Sequence, residues 1–466
     1  MNEIIPDAKD HFAKSLGVYR VEGNLSLQGA SECKCSGKPG ANIPSEYQTS
    51  GVADADIVIF ITARTTRFTG STAAFACSCL DDFATRRPIA GYVNWGPNSI
   101  NLDIISYGEQ LGIGIHELTH ALGFGPGKYS YYGGHPNGDG NNTVVVTYNE
   151  DGMSHTVVLL TTPKVIEVAR EHFNCQTLQG VELENGGSNG TASSHWERRV
   201  LYNEYMTGST NYEPYYSQFT LALLEDSGWY YPNYTNSRKL IWGKNQGCDF
   251  VTKRCNKRTG SYFCNKDTEA CSFDGTKKGR CNVRSGYTLP AWYTYFSDPS
   301  LGGTDSLADY CGFIDYRQQY RGDCTIDAYN NPGDDSFNIN NFGEHYCANC
   351  RCLTAVENGT PGPSCHNVTC VTDNNNVTSI KVKIGYIWYD CKDGESISVT
   401  DGFEGTFNCP STSLCTSTVP IDTGSWPSFT SVSPEKGKIG DQITVIYTIY
   451  ILFSLLIFYQ IINNNK

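Results

Sequence analysis

Apolar positions along the chain follow two periods. Between Asp7 and Leu16, Ala8, Phe12, Ala13 and Leu16 fall at helical spacing, whereas Asp56 to Thr62 is a short β-branched run of the kind that fills a buried strand. Ile89 to Trp95, bounded by Pro88 and by Gly96-Pro97, reads as a second strand. Ser106 to Phe124 reads as an apolar helix stopped by Gly125-Pro126-Gly127. From about Lys128 to Gly190 the pattern breaks into Gly/Asn-rich turns, a short strand at Val144 to Thr147 and a helix at Pro163 to Phe173, as an inserted subdomain would.

Beyond Trp242 the periodicity gives way to closely spaced cysteines, and Ser417 to Asp441, rich in Ser, Thr, Pro and Gly, reads as a stalk. Ile443 to Ile462 is uncharged and long enough to cross a bilayer. It fits either a single transmembrane helix or the tail of a glycolipid-anchor signal following Ser433 and a polar spacer. A membrane partner through this C-terminal segment is therefore expected. The pattern predicts an α+β chain with units at 1–127, 128–242 and 243–416, a linker at 417–442 and the hydrophobic segment at 443–462.

Composition narrows the compartment. Of 20 cysteines, fifteen lie between Cys248 and Cys415, the density of a disulfide-stapled region, and disulfides persist in oxidising surroundings. Seven N-x-S/T triplets, from Asn24 to Asn376, also suit a secreted glycoprotein surface. The first ten residues lack the basic flank and apolar run of a signal peptide, so the chain reads as a processed or truncated one, secreted or held at the cell surface. A net charge of −13 repels a phosphate backbone and argues against nucleic acid as a partner.

The sharpest chemistry is His116-Glu117-Leu118-Thr119-His120. Helix positions i and i+4 share a face, so both imidazoles can reach one metal ion with Glu117 beside them. Zinc suits such nitrogen donors, and a catalytic zinc site keeps one position for water. Gly123 extends the motif to HExxHxxG, but position 126, where a compact motif carries a third histidine, is Pro126. His135, His155, His172 and His195 are the candidates for a third ligand. His195 is favoured by its setting in Ser-Ser-His-Trp-Glu-Arg-Arg, eleven residues before Met206 in a turn-like Tyr-Met-Thr-Gly.

These residues resemble the leishmanolysin family of metzincin zinc endopeptidases. The resemblance runs through Val18 to Leu25, Ala55 to Arg64, Arg87 to Asn94, the HELTHALGF and SHWERR stretches, Cys248-Asp-Phe, Cys271-Ser-Phe-Asp-Gly and the segment opening at Asp298. It implies a zincin catalytic domain with one catalytic Zn2+, held by His116, His120 and a His195 set apart by an inserted domain. It further implies Glu117 as general base, Met206 as a methionine turn beneath the metal, and protein or peptide substrates. Ile89 to Trp95 is similar to the zincin edge strand, which would hold an extended peptide by β-augmentation. The alternative is a cell-surface adhesion protein whose zinc site is structural or idle. Cys33, Cys35 and the Cys347 to Cys352 cluster are expected in disulfides, and His11, His345 and His366 are expected to be solvated.

Overall fold

Ile4, Ile5, Ala8 and Phe12 form the buried stripe of helix α1 (Ile4–Ser15). It starts one turn earlier than the periodicity predicts, because Pro6 lies in the first turn, where a helix loses no hydrogen bond to proline. The computed structural model describes the chain except residues 1–2, 66–72, 101–106, 188–189, 210–213, 259, 316–321, 326–342, 358, 373–377, 393, 401–404, 411–440, 443–444 and 451–466.

Strands β1 (Ile57–Ala63), β2 (Ala74–Asp81) and β3 (Pro88–Trp95) form a sheet under helix α2 (Tyr107–Leu122). β1 and β3 are parallel, pairing Val58 with Ala90 through Ala63 with Trp95. Both are buried almost throughout, since each face meets a different core. Ile57, Ile59, Ile61, Val93 and Trp95 pack toward Leu111, Ile115, Leu118 and Leu122 of α2. Val58, Phe60, Ala90 and Tyr92 pack the other way, against Leu25, Leu27, Cys33 and Cys35.

The edge strand is not the expected one. β3 is interior, and β2, antiparallel to it with a register shift between Ser78 and Leu80, lies at the sheet edge. Cys77 and Cys79 on β2 are bridged to Cys35 and Cys33, so two disulfides fasten a loop to that edge strand.

The inserted region forms the hairpin β4 (Thr143–Glu150) and β5 (Met153–Leu160), helix α3 (Pro163–Phe173) and strand β6 (Val181–Leu183), which pairs with β5. Helix α4 (Gln218–Asp226) follows, capped by the Ser217 hydroxyl. The largest core joins these elements to the sheet and includes Trp242, Phe250, Ala308 and Phe313. A separate core fills an antiparallel sheet ordered β10-β9-β8-β7-β12-β11, made by β7 (Cys350–Glu357), β8 (Thr360–Thr372), β9 (Thr378–Ile384), β10 (Ile387–Cys391), β11 (Ser396–Val399) and β12 (Gly405–Asn408).

Disulfides Cys175–Cys248, Cys255–Cys311, Cys264–Cys281, Cys271–Cys352, Cys324–Cys365, Cys347–Cys350 and Cys391–Cys409 staple the second half, and no described cysteine is free. The architecture is mixed α/β, zincin-like and multidomain, with a disulfide-rich C-terminal region.

The expectation of a membrane-spanning segment at 443–462 is corrected. Strand β13 (Val445–Tyr450) pairs in parallel with β1, Val445 opposite Ile57 through Tyr450 opposite Thr62, and closes the other edge of the sheet. No helix among the described residues is long and apolar enough to cross a membrane. An apolar β-branched run suits strand pairing as well as a bilayer, and here the hydrogen-bonding edge of β1 takes its first part. Residues 451–462 and most of the expected stalk lie outside the described residues, although Asp441 and Gln442 pair with Val18 and Gly17.

Candidate metal centre

Helix α2 reaches the site because Gly91 on β3 has no side chain. A Cβ there would stand 2.7 Å from Ala121 Cβ and 2.9 Å from Ile59 Cδ1, so the helix rests directly on the sheet. Gly123 ends the helix at φ +123°, a conformation disfavoured for other residues, and its missing Cβ makes room for Trp229. The reversed chain brings the Phe124 carbonyl to 2.8 Å from His120 Nδ1.

The third histidine arrives from beyond the inserted hairpin. The His195 carbonyl accepts from the Glu184 N–H at 2.9 Å, and the Trp196 N–H donates to the Met206 carbonyl at 3.0 Å. The His195 loop is thus clamped between β6 and the Met206 turn. The turn hangs on Glu204, whose fully buried carboxylate accepts from the Met206 N–H, from Ser217 Oγ at 2.9 Å and from Thr220 Oγ1 at 2.7 Å. The neighbouring Tyr205 carbonyl lies 2.7 Å from His116 Nδ1.

Glu204 and Tyr205 were not legible as site residues, since nothing in their spacing separates them from an ordinary turn. Burial pushes Glu204 up to about 7, opposed by those three donors. Glu204→Gln is expected to lower unfolding stability by about 1–3 kcal/mol, because an amide NH2 must face the Ser217, Thr220 or Met206 donors. Urea denaturation of both chains measures the loss.

Three imidazoles converge. His116, His120 and His195 place their Nε2 atoms 3.1, 3.1 and 3.2 Å apart. Each Nδ1 faces a backbone carbonyl: Tyr205 for His116, Phe124 for His120 and Thr191, at 3.0 Å, for His195. A carbonyl is only an acceptor, so each Nδ1 carries the proton and each Nε2 presents a lone pair. Burial, the leading cause in each case, lowers His116 to about 4, His195 to about 3 and His120 well below its ordinary value. Three neutral lone pairs aimed at one point repel each other unless a cation lies between them. Zinc with nitrogen ligands at about 2.0–2.1 Å sets those nitrogens about 3.3 Å apart, so the donor set fits it.

Glu117 stands beside this cluster, only 6% exposed. Burial raises its carboxyl to about 8, offset by Lys38, which sits over the Phe75 ring of β2 at 4.0 Å from its centroid. Met206 is wholly buried.

The remaining candidates go elsewhere. His135 meets Asp139 at the surface, His172 Nε2 pairs with the Trp242 carbonyl, and His155 lies beside Glu182 and Asp309. None of the three histidines expected to be solvated is so, and His11 is partly buried against the Phe12 and Tyr216 rings. His366 is fully buried, with Nε2 2.7 Å from Ser364 Oγ, and His345 is half-buried against the Gly385 carbonyl. Both fill the junction between the antiparallel sheet and the disulfide-rich segment before it, which sequence spacing does not reveal.

A mixed sheet under a helix bearing two histidines one turn apart, completed by a distant third, defines a zincin-like scaffold with a candidate metal site. The family model for leishmanolysin peptidases matches residues 1–423, and the chain belongs to that family. A leishmanolysin-like peptidase of Drosophila melanogaster is 32% identical over 399 residues, 72% of this chain and 58% of its own length. One of Caenorhabditis elegans is 31% identical over 473 residues, covering 83% and 68% respectively. A leishmanolysin homolog of Crithidia fasciculata is 31% identical over 434 residues, 88% of this chain and 62% of the relative. The chain therefore spans somewhat more than half the length of the Drosophila melanogaster and Crithidia fasciculata relatives.

Proposed function

We propose that this chain is a zinc-dependent endopeptidase that hydrolyses extended segments of extracellular or surface proteins. The observation that carries it is the convergence of three Nε2 lone pairs beside the buried Glu117 carboxyl. His116, His120 and His195 would hold one zinc ion, with Met206 as the turn supporting the His195 loop. When bound, zinc supplies Lewis acidity, which brings water into nucleophilic range near neutral pH and polarises a carbonyl. Glu117, kept ionised by the neighbouring cation when zinc is bound, takes the proton of the attacking water and returns it to the departing amine nitrogen, so the carboxyl ends the cycle as it began.

Strand β2, at the edge of the described sheet, would hold the substrate backbone as an added strand. The disulfides to Cys33 and Cys35 keep that edge in place and put Lys38 within electrostatic reach of Glu117. The oxidised cysteines support action in an oxidising compartment. A division at about residues 127, 242 and 416 into catalytic, central and cysteine-rich units goes with this reading.

The test is cleavage of a quenched peptide mixture by the wild-type chain and by His120→Ala, with and without a chelator. Activity in the wild type alone, lost on chelation and restored by zinc, is expected. Cleavage that survives chelation, or equal rates in the two chains, would overturn the assignment.

A further inference from the structure

Away from the three histidines, a second group of metal-ligating side chains lies buried where the inserted region meets the cysteine-rich one. His155 comes from β5, Glu182 from β6 and Asp309 from the turn after residues 306–308, held at φ +55°. Glu182 and Asp309 are 0% and 2% exposed, and His155 is 9% exposed. His155 Nε2 lies 3.9 Å from Glu182 Oε1 and 4.0 Å from Asp309 Oδ2. These separations are too long for hydrogen bonds. They are separations that two ligands of one ion can have, since donors about 2.0–2.2 Å from a shared zinc lie no more than about 4.4 Å apart.

A further observation points to a cation. Glu182 Oε1 is buried without a hydrogen-bond partner, although Oε2 of the same carboxylate is taken by Arg199. An orphaned oxygen at that depth, facing an imidazole nitrogen it does not reach, is costly unless something lies between them.

Protonated His155 is the competing account, but the Asn185 amide nitrogen, which can only donate, lies 3.4 Å from Nε2, so that ring nitrogen is the acceptor. A neutral ring with Nε2 unprotonated is a ligand. Trp292, stacked on it at 5.1 Å between centroids, fixes its plane.

We infer that His155, Glu182 and Asp309 form a second zinc site, structural rather than catalytic, which ties the inserted region to the cysteine-rich one behind the His195 loop. One imidazole and two carboxylates suit zinc, and the burial leaves no path for a substrate.

The experiment counts zinc by mass spectrometry on the full chain after zinc loading and dialysis, for the wild type, His155→Gln and His116→Ala/His120→Ala. Two ions are expected in the wild type and one in each variant. Cobalt in the His116→Ala/His120→Ala chain is expected to give an oxygen-rich spectrum with one nitrogen ligand. No zinc in that chain, or the same count in the wild type and His155→Gln, would overturn the site and leave the carboxylates balanced by protons. Should His155→Gln fail to fold, the His116→Ala/His120→Ala count decides alone. Because that chain lacks two histidines of the proposed catalytic site, the result stands apart from whether the chain cleaves peptides.

Discussion

Glu117→Gln is expected to lower kcat for peptide cleavage by about 10²–10⁴-fold while leaving zinc content and unfolding midpoint close to wild type. Glutamine keeps the shape and burial of the side chain but cannot accept the proton of the attacking water. The lost factor is therefore the general-base contribution alone. The three imidazoles take their orientation from the Tyr205, Phe124 and Thr191 carbonyls and not from Glu117, so metal retention follows. A neutral amide also removes the desolvation that burial imposes on the charged form, which keeps stability from falling. Paired kcat and zinc measurements separate the roles. An unchanged kcat would remove Glu117 from the chemistry, whereas loss of zinc together with kcat would make it a support of the metal cluster.

Much of this site was legible because its parts are local. His116, Glu117 and His120 share one helical turn, and Gly123 ends the helix where the motif requires a reversal. His195 could be favoured from its surroundings, but four candidate histidines lay between the helix and the cysteine-rich region, and only packing separates them. The carbonyls that set the tautomers come from residues 124, 191 and 205, whose backbone conformation carries no side-chain signature. Glu204 and the pairing of Glu182 with Arg199 were hidden for a similar reason. A buried carboxylate reads like a surface one until its partners are known.

The two misread strands share a cause. Ile89 to Trp95 is apolar at nearly every position, which is the mark of an interior strand covered on both faces. β2 mixes Cys, Ser and Asp with apolar residues, as a half-exposed edge does, and its cysteines register first as disulfide partners. Val445 to Tyr450 has an interior strand's composition and sits inside a longer apolar run, so hydropathy alone could not separate sheet from bilayer. Pairing with β1 settles those six residues, because parallel registry needs a free strand edge, a property of the assembled sheet.

The second large effect is expected at Arg199, four residues past His195. Its guanidinium, 3% exposed for the residue as a whole, donates to Glu182 Oε2, to Asp309 Oδ2 at 3.1 Å and to the Val251 carbonyl at 3.0 Å. One side chain thus binds β6, the cysteine-rich region and the segment after Cys248 to the loop that carries His195. Arg199→Met keeps the stem volume but leaves two buried carboxylates without their guanidinium. Breaking a buried ion pair from one side costs about 3–5 kcal/mol, more than an exposed pair contributes, because the remaining charge stays desolvated. Urea unfolding of both chains, in chelator so that metal binding does not mask the difference, should show a loss of that size. The zinc-loaded variant should also bind its catalytic ion more weakly, since Glu182, whose carbonyl accepts from the Glu197 N–H of the same loop, loses its anchor. Arg198→Met provides the comparison: Arg198 pairs with Asp305, whose side chain is 21% exposed, so water can take over part of its role and a smaller loss is expected. Equal losses in the two variants would mean that depth of burial does not govern this network, and the anchoring role assigned to Arg199 would fail.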